Sequence, residues 1–217
     1  MKKRLILLSL FICLLFTGCT AIQDMTIEEV VEAKISREIK TYNAFRKGYK
    51  YYLPAGLKVV ESTDYNEVLR DDMYRYYLYI DAVSYFNKVI ETYEPNDKAY
   101  VSMPLNHNVK YGYLEITETK DDKYFIEIMY NYAKIEVIVK KKDINVTVSK
   151  ALIVLTSIHF NDNILKSLLG SETSQLNELE FNIFETTTTN AESDYLQALE
   201  DEEQDFEDEI HDSDLIN

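Results

Sequence analysis

The stretch KYGYLEITETKDDKYFIEIMYNYAKIEVIVK, residues 110–140, decides the fold of this chain. Apolar and aromatic side chains alternate with polar ones along most of it, which is the two-residue period of a strand with one buried face. Asp121-Asp122 and Tyr132-Ala133 interrupt the alternation where turns are needed. The stretch therefore predicts a three-stranded antiparallel meander, with strands over 110–119, 123–131 and 134–140.

A helix is predicted before the meander. Thr26 and Glu29 have the spacing of a capping box, and apolar residues three and four positions apart follow them. Because Gly48 is the next helix-ending residue, the pattern predicts a helix over 26–48.

A second helix is predicted directly after the meander. Asp143 is placed to cap it, and a broad apolar stripe over 144–159 indicates a helix packed against the sheet. Asp162 then caps a short helix over 163–169.

The remaining segments give weaker patterns. Strands are predicted over 49–53, 57–62 and 73–81, and residues 62–72 are polar and irregular. Residues 82–93 fit either a strand or a short helix, and 94–109 is predicted to be a long loop. The predicted fold is α+β: an antiparallel sheet of about five to six strands packed against an N-terminal helix and a C-terminal helix, with a disordered acidic tail.

The N-terminus carries the clearest functional signal. A basic start, Met1-Lys2-Lys3-Arg4, precedes about a dozen apolar residues, fewer than the ~20 of a membrane-spanning helix. Thr17-Gly18 then leads directly into Cys19. This run resembles the lipobox of bacterial lipoproteins, with Phe16 where that family usually has Leu. The resemblance implies that the Cys19 thiol receives diacylglycerol and that a peptidase cuts before it.

The resemblance also sets the expected organisation and location of the chain. Cys13 lies in the removed apolar run, so Cys19 is the only cysteine of the predicted mature protein, and no internal disulfide forms. A two-chain lipid anchor holds stably, so we expect the protein at the cell membrane, lipid-anchored on the extracytoplasmic face. The predicted segments are a signal peptide (1–18), a membrane tether (19–25), an α+β domain (26–185), and a Thr-rich linker with acidic tail (186–217).

Charge limits the expected partners. The chain has 23 basic and 38 acidic residues, and residues 191–217 hold 12 acidic and no basic side chains. Nucleic acid is excluded as a partner, because its binding depends on neutralising phosphates with Lys and Arg. The expected partners are the membrane, through the lipid on Cys19, and a protein or cell-envelope component.

No catalytic or metal-binding set is predicted. The histidines His107, His159 and His211 are scattered and lack the spacing of zinc ligands, and we expect no cofactor. The pairs Asp71-Asp72 and Asp121-Asp122 are capable of acid–base chemistry, but adjacent acids in turns are usually solvated turn formers. The sequence therefore predicts a protein that is not an enzyme.

Two local clusters leave alternatives open. Five tyrosines, Tyr74, Tyr76, Tyr77, Tyr79 and Tyr85, either form a stacking surface for glycan or peptide or serve as strand and core residues in a chain without Trp. The run 140–142, three lysines, is either a solvated turn or a contact for lipid headgroups. The predicted role is non-catalytic binding or scaffolding at the outer face of the cytoplasmic membrane. The alternatives are a solute- or glycan-binding receptor and an enzyme acting on the cell wall.

Overall fold

The computed structural model describes residues 22–169 and has the predicted α+β fold. Its strands are β1 (Ala44–Phe45), β2 (Tyr49–Tyr51), β3 (Lys58–Ser62), β4 (Asn66–Arg70), β5 (Arg75–Ile80), β6 (Val101–His107), β7 (Lys110–Glu118), β8 (Lys123–Tyr130), β9 (Ala133–Lys140) and β10 (His159–Phe160). Its α-helices are α1 (Ile27–Ile35), α2 (Ala82–Asn87), α3 (Ile144–Ser157) and α4 (Asp162–Leu169).

An antiparallel sheet of seven strands, in the order β3-β4-β5-β9-β8-β7-β6, forms the centre of the fold. The predicted meander is confirmed as β7, β8 and β9. The sheet exceeds five to six strands because β4 and β6 arise from segments predicted to be irregular or a loop. In β4 the charged Glu67 lies at a buried position, so the segment lacks the alternation of apolar and polar residues that predicts a strand. In β6 Pro104 argues against a strand in the sequence, but β6 is an edge strand, which tolerates proline.

One face of the sheet, which we call the inner face, packs against α3 and forms the core. Its fully buried side chains include Leu69, Tyr76, Leu78, Leu105, Leu114, Ile116, Ile126, Ile128 and Ile135. From α3, Val148, Ala151, Leu152 and Leu155 are equally buried, and α1 packs on α3 through Val30 and Val31. The broad apolar stripe of α3 therefore has the predicted role.

The predicted first helix is wrong beyond Ile35. Its capping box is present, with Thr26 and Glu29 bonding each other's backbone N–H groups, but the helix ends at Ser36. Residues 37–43 then have no regular structure, and the side chain of Asn43 holds the chain beside Leu53, accepting from Leu53 N at 2.6 Å and donating to Leu53 O at 2.9 Å. The backbone that follows pairs as a strand with β2 instead of continuing a helix.

The small sheet and the short helices complete the fold. β1, β2 and β10 form a three-stranded sheet, so the second predicted helix ends at Ser157 and His159 pairs with Lys50. Residues 82–93 begin with the helix α2. The short predicted helix is present as α4, but it begins at Asp162, and Asn161 caps it in place of the predicted Asp162, with Asn161 Oδ1 accepting from Ile164 N at 3.2 Å.

No helix within residues 22–169 is long and apolar enough to cross a membrane. Several predictions fall outside the described residues. They are the signal peptide, Cys19, the end of the α+β domain, and the linker with the acidic tail.

Candidate binding face of the sheet

The face of the seven-stranded sheet opposite α3, which we call the outer face, mixes aromatic and charged side chains. All of its central side chains are half-buried, since each is shielded by its neighbours on adjacent strands. They are Val68, Arg70, Arg75, Tyr77, Tyr79, Tyr113, Glu115, Phe125, Glu127, Met129, Lys134, Glu136 and Ile138. Tyrosine and arginine are the residue types enriched at binding interfaces.

Three glutamates lie side by side on this face. Glu136 on β9 is directly opposite Glu127 on β8, and Glu127 is directly opposite Glu115 on β7. We call Glu115, Glu127 and Glu136 the carboxylate row. Like charges directly opposite one another in a sheet destabilise it, so the row needs compensating partners.

Lys134 and Tyr113 compensate two members of the carboxylate row. Lys134 Nζ lies 2.5 Å from Glu136 Oε1 and 3.5 Å from Glu127 Oε2. The Tyr113 hydroxyl donates to Glu127 Oε1 at 2.6 Å. The Lys134 ammonium and the Tyr113 hydroxyl are thus the two groups that compensate the carboxylates of Glu127 and Glu136.

The third member is covered by the connection between α2 and β6. The Tyr93 hydroxyl donates to Glu115 Oε2 at 2.7 Å, and Asn96 Nδ2 donates to Glu115 Oε1 at 2.9 Å. The ring of Tyr93 also stacks on Tyr113, with 4.3 Å between centroids. This end of the row is therefore closed by the chain itself.

Burial perturbs the titration of these groups. Burial raises the pKa of Glu136, and Lys134 opposes that shift. Burial lowers the pKa of Lys134, but the charges of Glu136 and Glu127 outweigh it, so the net direction is upward. Burial and the charge of Glu127 raise the pKa of Tyr113. Lys134 therefore stays a cation, and Tyr113 stays a hydrogen-bond donor at neutral pH.

Two of the predicted tyrosines belong to the outer face. Tyr77 is directly opposite Glu136, and Tyr79 is directly opposite Lys134, whose Nζ lies 5.4 Å from the Tyr79 ring centroid. Both therefore flank the carboxylate row.

The other three tyrosines lie elsewhere, so the five do not form one stacking surface, which was one of the two alternatives that the sequence left open. Tyr76 is fully buried on the inner face, Tyr74 donates from its hydroxyl to Asp143 Oδ2 at 2.8 Å, and Tyr85 on α2 stacks on Phe160 at 3.9 Å. Side chains alternate between faces along a strand, so neighbours in sequence are separated in space.

Sequence analysis missed Tyr113, Lys134 and the carboxylate row. The signal was present, because the polar positions of the meander strands hold these residues. Only the register brings Glu115, Glu127 and Glu136 together, and a shift of one residue would move each to the other face.

The remaining polar candidates do not converge. His107 lies in β6 and His159 in β10, on different sheets, and His211 is outside the described residues. Asp121 and Asp122 are exposed turn residues, as predicted. Asp71 differs from its neighbour Asp72, because Asp71 is half-buried and its carboxylate is paired with Lys150. Among residues 22–169, no group of three or more His, Cys, Asp and Glu side chains has a geometry able to hold a metal ion.

Comparison with known proteins found no relative of this chain. No family model, curated protein or solved structure matches the chain. The geometry of the outer face is thus the basis for a functional argument.

Proposed function

We propose that this is a lipid-anchored surface protein that acts by non-catalytic binding or scaffolding at the outer face of the cytoplasmic membrane. Its partner is a protein or cell-envelope component, and the outer face of the sheet is the surface that binds it. The observation that carries the proposal is the carboxylate row on a half-buried aromatic face. Such a row costs stability, and local rules are broken most often at functional sites.

The chemistry of the outer face favours a partner with cationic groups. Glu127 and Glu136 share a single lysine, so an arriving Lys, Arg or amine finds carboxylate oxygens to accept from it. Tyr77 and Tyr79 flank the row, and the ring of Tyr79 already lies beside the cation of Lys134, as expected for aromatic rings that attract positive charge. Basic residues of a protein, or amines of an envelope polymer, have this chemistry.

The anchor rests on the N-terminal motif and has its own test. Replacing Cys19 by Ser removes the sulfur that would be acylated, while Cys13→Ser, six residues earlier in the predicted signal, is the matched control. We expect Cys19→Ser to abolish fatty-acid labelling and detergent-phase partitioning, and Cys13→Ser to leave both unchanged. Labelling that survives in Cys19→Ser would contradict the anchor.

The binding role is tested on the carboxylate row. Glu127→Gln with Glu136→Gln keeps the shape of both side chains and removes their charge, and the exposed Glu38→Gln is a control of the same chemistry. A charge-assisted contact contributes about 1.5–3 kcal/mol, so losing one lowers partner crosslinking in cells by about tenfold or more. Equal yields from the double variant and from Glu38→Gln would contradict the assignment of this face.

A small-molecule or glycan receptor is the second candidate. The half-buried Tyr77 and Tyr79 on one face favour it, since aromatic rings stack on sugars. A receptor shows a ligand-dependent rise in melting temperature, because ligand binds only the folded state. Cell-wall glycan fragments that leave the melting temperature unchanged would exclude it.

A further inference from the structure

The beginning of the described chain is held against the first turn of α3. Residues Ile22–Asp24 form a 3-10 turn, and Asn145 Nδ2 donates to Met25 O at 2.7 Å and to Ile22 O at 3.3 Å. The predicted tether of residues 19–25 is therefore docked on the domain from Ile22 onward.

Docking at Ile22 shortens the free part of the tether. Three Cα–Cα steps separate Cys19 from Ile22, and they span at most about 11 Å when fully extended. A lipid on Cys19 therefore keeps the first turn of α3 within about that distance of the headgroups. Groups that the chain displays around this turn are therefore within reach of the bilayer.

Three lysines lie at that place. Lys140, Lys141 and Lys142 directly precede α3 and are all exposed. Lys141 Nζ lies 5.1 Å from the ring centroid of Tyr100, which is 46% exposed. We call Tyr100 and Lys140–Lys142 the basic corner. Tyrosine and lysine are both favoured at membrane–water interfaces, where the ring sits at headgroup depth and the amine meets phosphate.

Acidic groups near the basic corner, with Asp143 directly after Lys142, weaken its positive potential, so contact with headgroups depends on where the lysines lie and not on a net positive charge. Asp24, Glu28 and Glu29 are exposed on the docked segment and on α1, and Asp121 and Asp122 are exposed in the β7–β8 turn. The described domain as a whole holds 20 basic and 22 acidic residues over 22–169. That balance is close to neutral, so a preferred orientation depends on where the charges lie, and the basic corner is where three exposed lysines adjoin one another.

From this placement we propose that the basic corner contacts anionic lipid headgroups and orients the domain on the membrane, an inference that rests on the proposed lipid anchor. β9 ends at the corner and β8 begins beside it, since Lys123 is opposite Lys140. The eight residues of β8 lead about 25 Å away from the bilayer. The outer face is then presented sideways, accessible to a partner in the envelope.

The test measures which end of the sheet lies near the lipid. The mature lipidated protein is reconstituted into phosphatidylcholine vesicles with or without phosphatidylglycerol. A single introduced cysteine carries a fluorophore, either Lys120→Cys in the β7–β8 turn near the corner or Val109→Cys, 82% exposed in the β6–β7 turn at the opposite end. Doxyl-labelled lipids quench whichever fluorophore approaches the headgroups.

We expect strong quenching at position 120, greater with phosphatidylglycerol, and little at position 109. Replacing Lys140, Lys141 and Lys142 by Gln removes the corner charge and lowers the preference for this orientation by up to about a hundredfold at low salt. Quenching at position 120 then falls to the level at position 109. The matched control replaces the exposed lysines Lys40, Lys47 and Lys166 by Gln and leaves the quenching unchanged.

Flotation of the same samples separates the two proposals. Protein that fails to float with either vesicle overturns the lipid anchor and the basic corner with it. Protein that floats, yet shows equal quenching at positions 120 and 109 or no change in the triple variant, overturns the basic corner alone.

Discussion

The contact between Asp71 and α3 gives the sharpest stability prediction. Asp71 Oδ1 accepts from the backbone N–H groups of Met73 and Tyr74, at 2.9 and 2.8 Å. Its other oxygen, Oδ2, accepts from the Tyr76 hydroxyl at 2.9 Å and from Lys150 Nζ at 2.5 Å. One carboxylate therefore closes the β4–β5 turn and ties it to the helix.

Asp71→Asn preserves half of these bonds. The Asn oxygen still accepts from the turn, but its NH₂ group meets two donors, the Tyr76 hydroxyl and the Lys150 ammonium. A hydrogen bond from the buried Tyr76 to a charged acceptor is worth about 1.5–3 kcal/mol. The Lys150 side chain is 26% exposed, so the screened ion pair adds about 1 kcal/mol. We expect a loss of about 3 kcal/mol in the free energy of unfolding at neutral pH.

The pH dependence of this loss has a definite sign. Burial raises the pKa of Asp71, but hydrogen bonds from Lys150, the turn and Tyr76 outweigh it, so the pKa is lowered. A lowered pKa means that the contribution is fully present above the unfolded value of about 3.9 and is lost as pH falls through the folded pKa. The difference between wild type and Asp71→Asn should therefore shrink below about pH 4.

Urea unfolding followed by circular dichroism measures both effects. The neighbouring Asp72→Asn is the control, since Asp72 is exposed and should change stability by less than about 0.5 kcal/mol. Equal stability of the two variants at neutral pH, or a difference that persists unchanged at low pH, would refute the reasoning.

Three further substitutions test the packing. A Cβ on Gly112 would lie 1.9 Å from Met129 O, so Gly112→Ala must separate β7 from β8 and should cost more than about 3 kcal/mol in urea unfolding; a smaller cost would contradict the strand spacing. Glu67→Gln removes the buried charge that pairs with the half-buried Arg46 at 2.5 Å and should cost about 1.5–3 kcal/mol, as for other hydrogen bonds to charged groups, where an unchanged stability would contradict the role of this pair. Thr26→Ala removes the N-cap of α1 and should lower the free energy of unfolding by about 1 kcal/mol. If α1 unfolds separately from the rest of the domain, the loss of helical signal is confined to the first transition of the urea unfolding curve.

The sequence predicts the centre of this fold better than its edges. The meander and α3 follow from long periodic patterns, and both appear within two residues of the predicted bounds. β4 was hidden because Glu67 occupies a core position that only Arg46, Tyr49 and Tyr51, distant in sequence, make tolerable. The pattern before Gly48 has helical spacing, but Asn43 bonds to Leu53 and the chain pairs as a strand instead.

The candidate site depends on register, which the sequence leaves open. Alternation shows which side of a strand Glu115, Glu127 and Glu136 occupy, but their alignment depends on how three strands pair. The sequence leaves open whether Tyr77 and Tyr79 belong to a surface or to the core, and both lie on the outer face. Tyr76, between them, faces the core, because period two sends alternate side chains to opposite sides.

Site-specific photocrosslinking in intact cells tests the central claim most directly. A benzophenone side chain replaces Tyr79 on the outer face, and in a matched protein it replaces Phe45, an aromatic residue that is 66% exposed on the small sheet. We expect a discrete adduct from position 79 that Glu127→Gln with Glu136→Gln removes, and none from position 45. An adduct from position 45 alone, or one from position 79 that survives loss of both carboxylates, would contradict this claim.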